Sequence, residues 1–114
     1  MNKLAFEIHA ANVAAGWYPE EDRKNPYQIP MKLALVHSEI SEALEGFRKN
    51  LQDDKLPHRS SLEVELADAF IRLLDIVGYL NLDIDGAIQE KLAYNKVRAD
   101  HKQEARASVN GKKF

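Results

Sequence analysis

Residues 60–80 constrain this chain more than any other stretch. On a helical wheel at about 100° per residue, Leu62, Leu66, Phe70, Leu73, Val77 and Leu80 form one apolar face. Val64, Ala67, Ile71 and Leu74 carry apolar character around the back. A helix apolar on nearly every side belongs inside a structure. One narrow line breaks the pattern: Glu65, Asp68, Arg72 and Asp75. Buried acids need partners, so this line is harder to explain as solvated surface than an ordinary charged stripe. The start of the segment is also marked, because Ser60-x-x-Glu63 reads as a capping box.

The remaining helices follow from the same periodicity. The spacing predicts a first helix over residues 3–15, with Leu4, Ile8, Ala11 and Ala15 on one stripe, Asn2 as cap and Gly16 as terminator. Residues 16–29 read as a loop rich in Pro, Asp, Glu and Asn. A second helix starts at Pro30, a favourable first helical residue, and runs to Lys49 with Leu33, Val36, Ile40, Leu44 and Phe47 at helical spacing. Residues 52–59, which include Pro57, connect it to the third. A fourth helix begins near Asp83 and continues to Arg106. No segment alternates with period two, so almost no sheet is expected. The expected fold is all-α, with four main helices in a bundle, a single domain over residues 1–106 and a loose tail over residues 107–114. Helices apolar on more than one face leave too much surface for a 114-residue monomer to cover. The bundle is therefore expected to be completed by homo-oligomerisation, as a dimer or tetramer.

Two acidic motifs carry the chemistry. Glu39-x-x-Glu42 on the second helix and Glu65-x-x-Asp68 on the third each place two carboxylates on one helical face, with Cβ atoms roughly 5–6 Å apart. Antiparallel packing of the two helices can bring the motifs together. Four carboxylates in one place repel unless a cation lies between them. The plain alternative is a solvated charged face. That is easy to accept for the second helix, because Glu is common on helix surfaces. It is hard to accept for the narrow stripe of the third. Oxygen-only donors select magnesium, with manganese as a substitute, over zinc. Magnesium keeps several waters and shares its shell with substrate phosphates. The chemistry this suggests is metal-assisted attack of water on a phosphoanhydride, with Glu39, Glu42, Glu65 and Asp68 as candidate metal-ligating and catalytic residues.

The fourth helix adds Lys91, Asn95, Arg98 and Lys102 at spacings of four, three and four. This stripe reads either as a solvated basic face or as the cationic side of a triphosphate site. Trp17, beside Tyr18, is either a loop anchor or a stacking platform for a base. Asn12, one turn earlier, has an amide able to read a base edge. His9, His37, His58 and His101 show no zinc spacing and read as structural or surface groups. No Glu-x-x-His occurs, as a di-iron bundle would require, and no glycine-rich phosphate loop is present.

Composition narrows the setting. A net charge of −2 argues against a nucleic-acid polymer as partner. The absence of cysteine excludes disulfides, thiolate zinc sites and cysteine nucleophiles, and suits a reducing cytoplasm, the expected location. No apolar run approaches the length of a membrane span and residues 1–15 lack a signal-peptide plan, so no membrane partner is expected.

The stretch His37-Ser38-Glu39-Ile40-Ser41-Glu42-Ala43-Leu44-Glu45 resembles the first motif of the MazG-like nucleoside triphosphate pyrophosphohydrolases. Glu65-Leu66-Ala67-Asp68 is similar to their second, and Lys91-Leu92-Ala93-Tyr94-Asn95-Lys96-Val97-Arg98 to their third, in matching order and spacing. The resemblance spans about residues 12–101. It departs after Arg98, where Ala99-Asp100-His101-Lys102 stands in place of a more basic and aromatic run. The resemblance implies an all-α fold in which helices of two or more subunits build the bundle. It implies magnesium held by Glu39, Glu42, Glu65 and Asp68, and cleavage of a (deoxy)nucleoside triphosphate to the monophosphate and pyrophosphate. It also implies phosphate or sugar contacts from Lys91, Asn95 and Arg98, and a base pocket lined by Trp17. The rival expectation, of a different class, is a non-enzymatic helical interaction module whose acidic face binds a basic partner.

Overall fold

The computed structural model describes residues 1–98 and 106–113. Along them run α1 (Asn2–Ala14), α2 (Glu20–Arg23), α3 (Gln28–Arg48), α4 (Ser61–Leu80) and α5 (Ile84–Val97). The described residues contain no strand; an isolated antiparallel bridge joins Gln52 to Ser60. The fold is all-α. It divides into two compact units, Met1–Leu82 and Asp83–Phe114. No helix among the described residues is long and apolar enough to cross a membrane.

The first unit is built on α4, against which both α1 and α3 pack. Both run antiparallel to it. Gly46 meets Ser61 near one end of the α3–α4 pair, and Lys32 meets Asp75 near the other. Across the α1–α4 pair, Ala5 meets Gly78 and His9 meets Asp75. Two glycines permit these approaches. A Cβ at Gly46 would lie 2.4 Å from the Ser61 hydroxyl oxygen, and one at Gly78 would lie 2.5 Å from the Ala5 carbonyl oxygen.

The capping box at Ser60 is present: its Oγ accepts from the Glu63 backbone N–H at 3.1 Å, and the Glu63 carboxylate accepts from the Ser60 N–H at 3.2 Å. α4 ends at Asn81 in the left-handed region (φ 53), with the Leu82 N–H returning to the Val77 carbonyl, as helix C-termini commonly do.

Several boundaries differ from the sequence reading. Asn2 lies inside α1, and Met1 is the residue that precedes it. α3 begins at Gln28, so Pro30 is its third residue; a missing N–H is harmless there because first-turn N–H groups have no intrahelical partner. The loop before it contains the single turn α2, whose Glu20, Glu21 and Asp22 suit a helix N-terminus. α5 stops at Val97 because Arg98 is extended (ψ 141), so the helix does not continue unbroken to Arg106. His101 and Lys102 lie outside the described residues.

The apolar residues of α3 and α4 divide between buried and exposed positions. The buried residues of α4 include Ala69, Leu74, Ile76 and Val77, while Leu66, Phe70, Leu73 and Leu80 are exposed. On α3, Leu33, Ile40, Leu44 and Phe47 are exposed and Ala43 and Gly46 are buried. Close approaches of the helices fall at the small residues Gly46 and Gly78.

Candidate metal centre

Antiparallel packing of α3 on α4 brings two eight-residue stretches, 32–39 and 68–75, face to face. Lys32, Leu35 and Glu39 come from α3; Asp68, Ile71, Arg72 and Asp75 come from α4. With Asn12 of α1 and Trp17 of the following turn they line a cleft of about 460 Å³, within the range of ligand pockets.

At the acidic end, one carboxylate oxygen from each of Glu39, Glu42 and Glu65 lies within 4.8 Å of the others. Two oxygens on opposite sides of a magnesium ion, each at about 2.1 Å, would be about 4.2 Å apart. The cluster is therefore close in size to a single-ion site, and its donors are all hard oxygens. Asp68 stands beside these three rather than among them, lining the cleft with Glu39. The two expected motifs thus converge, with three of their four acids in one group.

The carboxyls of this group are pushed in different directions. Burial, followed by the Glu42 and Glu39 carboxylates, pushes Glu65 up to about 7. Burial acts to raise Glu39 as well, but the hydrogen bond from Arg72, hydrogen bonding with Glu42 and the Arg72 charge outweigh it and hold that carboxyl below its usual range. Burial and then the Glu39 charge raise Asp68, with Arg72 opposing. The Arg72 Nε donates to Glu39 Oε1 at 2.6 Å.

The other end of the cleft rests on a buried anchor. Asp75 accepts from His9 Nδ1 at 3.0 Å and from the Tyr18 hydroxyl at 2.5 Å, with Lys32 Nζ 3.6 Å away. Burial alone would raise Asp75; Tyr18, His9, Asn12 and the Lys32 charge together hold it low. Tyr18 stacks on Tyr79 at 4.6 Å, meets His9 edge-on at 4.7 Å and lies under Lys32 Nζ at 4.2 Å. These contacts over-determine a backbone that a tyrosine rarely adopts, φ 69. Burial first, and then Asp75, push its hydroxyl well above the usual phenol range. Of the two adjacent aromatics, Tyr18 is the anchor, only 5% exposed, whereas Trp17 is 67% exposed and lines the cleft.

Lys91 and Asn95 lie on α5 and Arg98 at its C-terminal cap, all in the second unit. Lys91 Nζ sits 4.7 Å from the Tyr94 ring centroid. Asn95 Oδ1 is shielded from solvent and has no hydrogen-bond partner among the described residues. The cleft residues all belong to the first unit.

Helical spacing reached Glu39, Glu42, Glu65 and Asp68, and side-chain chemistry reached Asn12 and Trp17, but neither gave the roles of Lys32, Arg72, Asp75, His9 and Tyr18. One signal was available: Lys32 precedes Glu39 by seven residues, and Asp75 follows Asp68 by seven, which puts each pair on one helical face. Comparison with protein-family models, with curated proteins and with solved structures finds no match to this chain.

Proposed function

We propose that this protein is a magnesium-dependent nucleotide pyrophosphohydrolase that converts a (deoxy)nucleoside triphosphate to the monophosphate and pyrophosphate. The observation that carries this reading is the convergence of Glu39, Glu42 and Glu65 within 4.8 Å at one end of a cleft whose other end displays Trp17. Glu39, Glu42 and Glu65 would hold Mg²⁺, or Mn²⁺ in its place. Such an ion supplies positive charge against the phosphoanhydride and its leaving group.

The chain's own groups do the rest. Asp68, beside the three glutamates and facing the cleft, is the acid placed to orient the attacking water. Lys32 keeps a positive charge in the cleft, balanced against Asp75. Trp17 offers an exposed indole for stacking and Asn12 an amide for a base edge. The same reading assigns phosphate or sugar contacts to Lys91, Asn95 and Arg98, in keeping with the resemblance of residues 91–98 to the third motif. The exposed Leu33, Ile40, Leu44 and Phe47 of α3 and Leu66, Phe70, Leu73 and Leu80 of α4 support a homo-oligomer, a dimer or tetramer, that covers them.

The test is product analysis. Each nucleoside triphosphate is incubated with the protein and Mg²⁺, and products are resolved by anion-exchange chromatography. Monophosphate and pyrophosphate in equal amounts are expected from at least one substrate. Accumulation of diphosphate and orthophosphate, or no turnover of any, would overturn the assignment.

A further inference from the structure

Arg72 occupies a place that the proposed chemistry needs twice. Its Nε donates to Glu39 Oε1 at 2.6 Å, a short charge-assisted contact. Glu39 is only 8% exposed, so the guanidinium takes the place of water at that carboxylate. A divalent ion held by Glu39, Glu42 and Glu65 needs the same negative charge, at about 2.1 Å. A guanidinium and an ion side by side on one oxygen would repel. The Arg72 side chain is also 41% exposed and lines the cleft. It carries five N–H donors in a fork that matches phosphate, and the contact with Glu39 uses the one on Nε.

We propose that Arg72 and the divalent ion compete for Glu39, and that Arg72, displaced when the ion is held there, becomes the clamp for a phosphate of the nucleotide. This inference rests on the metal-dependent reading above. It makes binding ordered. In the ion-free protein the acids repel a triphosphate, and the one guanidinium placed among them is committed to Glu39. Once the ion is seated, the same movement supplies both the metal and the fork. Coupling of this kind is reciprocal, so nucleotide must also tighten the hold on metal.

The test measures binding rather than turnover. Mn²⁺ is titrated calorimetrically into the wild-type protein, Arg72→Gln, Arg72→Lys and Lys49→Gln, without nucleotide. Arg72→Gln should bind Mn²⁺ about tenfold more tightly, a difference of about 1.4 kcal/mol. Lys49→Gln removes an exposed cation at the end of α3 that pairs with Glu45 outside the cleft, so it should stay within about twofold of wild type and control for bulk charge. α,β-Imido triphosphates of the common nucleosides are then titrated in saturating Mg²⁺. Arg72→Gln and Arg72→Lys should each bind at least tenfold more weakly than wild type, the lysine variant because it keeps the charge and loses the fork. Arg72→Lys also serves if the glutamine variant fails to fold. Equal Mn²⁺ affinity in wild type and Arg72→Gln, or equal analogue affinity in wild type and Arg72→Lys, overturns the competition and leaves the hydrolase reading standing. Failure of Mn²⁺ to bind any of the four proteins overturns both.

Discussion

The acid cluster should make the metal-free protein lose stability as pH rises through the weakly acidic range. Glu65 titrates near the ordinary 4.5 in the unfolded chain and at about 7 in the fold, because of burial and then its Glu42 and Glu39 neighbours. Between those two values the native state holds a proton that the unfolded state has released. Stability therefore falls with rising pH: the contribution is fully present below about pH 4.5 and gone once pH exceeds about 7. At roughly 1.4 kcal/mol per pH unit, the interval corresponds to at most about 3.5 kcal/mol. Glu65 is part-exposed, and solvent screening reduces this to about 1–2 kcal/mol. Asp68, also raised, by burial and then the Glu39 charge, acts in the same direction. Glu39 and Asp75 are lowered, so their stabilisation is lost only as pH falls, on the acid side of this window.

Urea unfolding in the presence of a chelator, at steps from about pH 4.5 to 8, measures the effect when wild type is compared with Glu65→Gln. Wild type should lose about 1–2 kcal/mol relative to the variant across the window. Millimolar Mg²⁺ should restore the wild type above pH 7 and do less for the variant. Parallel pH profiles for the two proteins would show that Glu65 does not retain the cluster's proton, and the over-charged site would have to be abandoned.

Gly78→Ala should destabilise the fold by about 1–3 kcal/mol in urea unfolding, since the new Cβ meets the Ala5 carbonyl oxygen and a backbone clash outweighs the roughly 1 kcal/mol gained in helix propensity. Tyr18→Phe leaves a buried oxygen of Asp75 without its donor; it should cost about 1–3 kcal/mol and shift the emission of Trp17, the sole tryptophan. Trp17→Ala should raise KM and reorder the preferred bases, by about 1–3 kcal/mol for the favoured one; an unchanged ranking would place the base elsewhere. Light scattering at micromolar concentration should give a multiple of 13.0 kDa, and a clean monomer mass would remove the need for a partner over α3 and α4.

The helices were legible because their apolar period and caps are local properties. The capping box at Ser60 illustrates this, as four residues contain all its donors and acceptors. The site was legible as far as it depends on helical spacing, which puts Glu39 with Glu42 and Glu65 with Asp68. Which face of a helix meets its neighbour depends on another segment, and a wheel apolar on several sides does not decide it. The close approach of α1 to α4 falls where Gly78 meets Ala5. Tyr18 was hidden for a similar reason: its anchoring needs Asp75, 57 residues away, and a left-handed backbone that nothing in its own neighbourhood demands.

The polar stripe of α4 is better understood as the floor of a cleft than as a surface. Arg72 answers Glu39 of α3, and Asp75 answers His9 of α1, Tyr18 of the connecting turn and Lys32 of α3. Seven residues separate Lys32 from Glu39 on α3, and seven separate Asp68 from Asp75 on α4. At about 1.5 Å per residue, both intervals span roughly 10 Å. Two turns on each helix therefore set the distance between the acid cluster and the anchored end that displays Trp17. That distance is held by the register of α3 on α4, with Gly46 against Ser61 beyond one end of it and Lys32 against Asp75 at the other. Rotating α4 by one residue, about 100°, would pull Arg72 from Glu39 and Asp75 from its donors together. Burial of Asp75 thus serves the metal end although it lies two turns away: its hydrogen bonds select the one rotation of α4 that points Glu65 at Glu39 and Glu42.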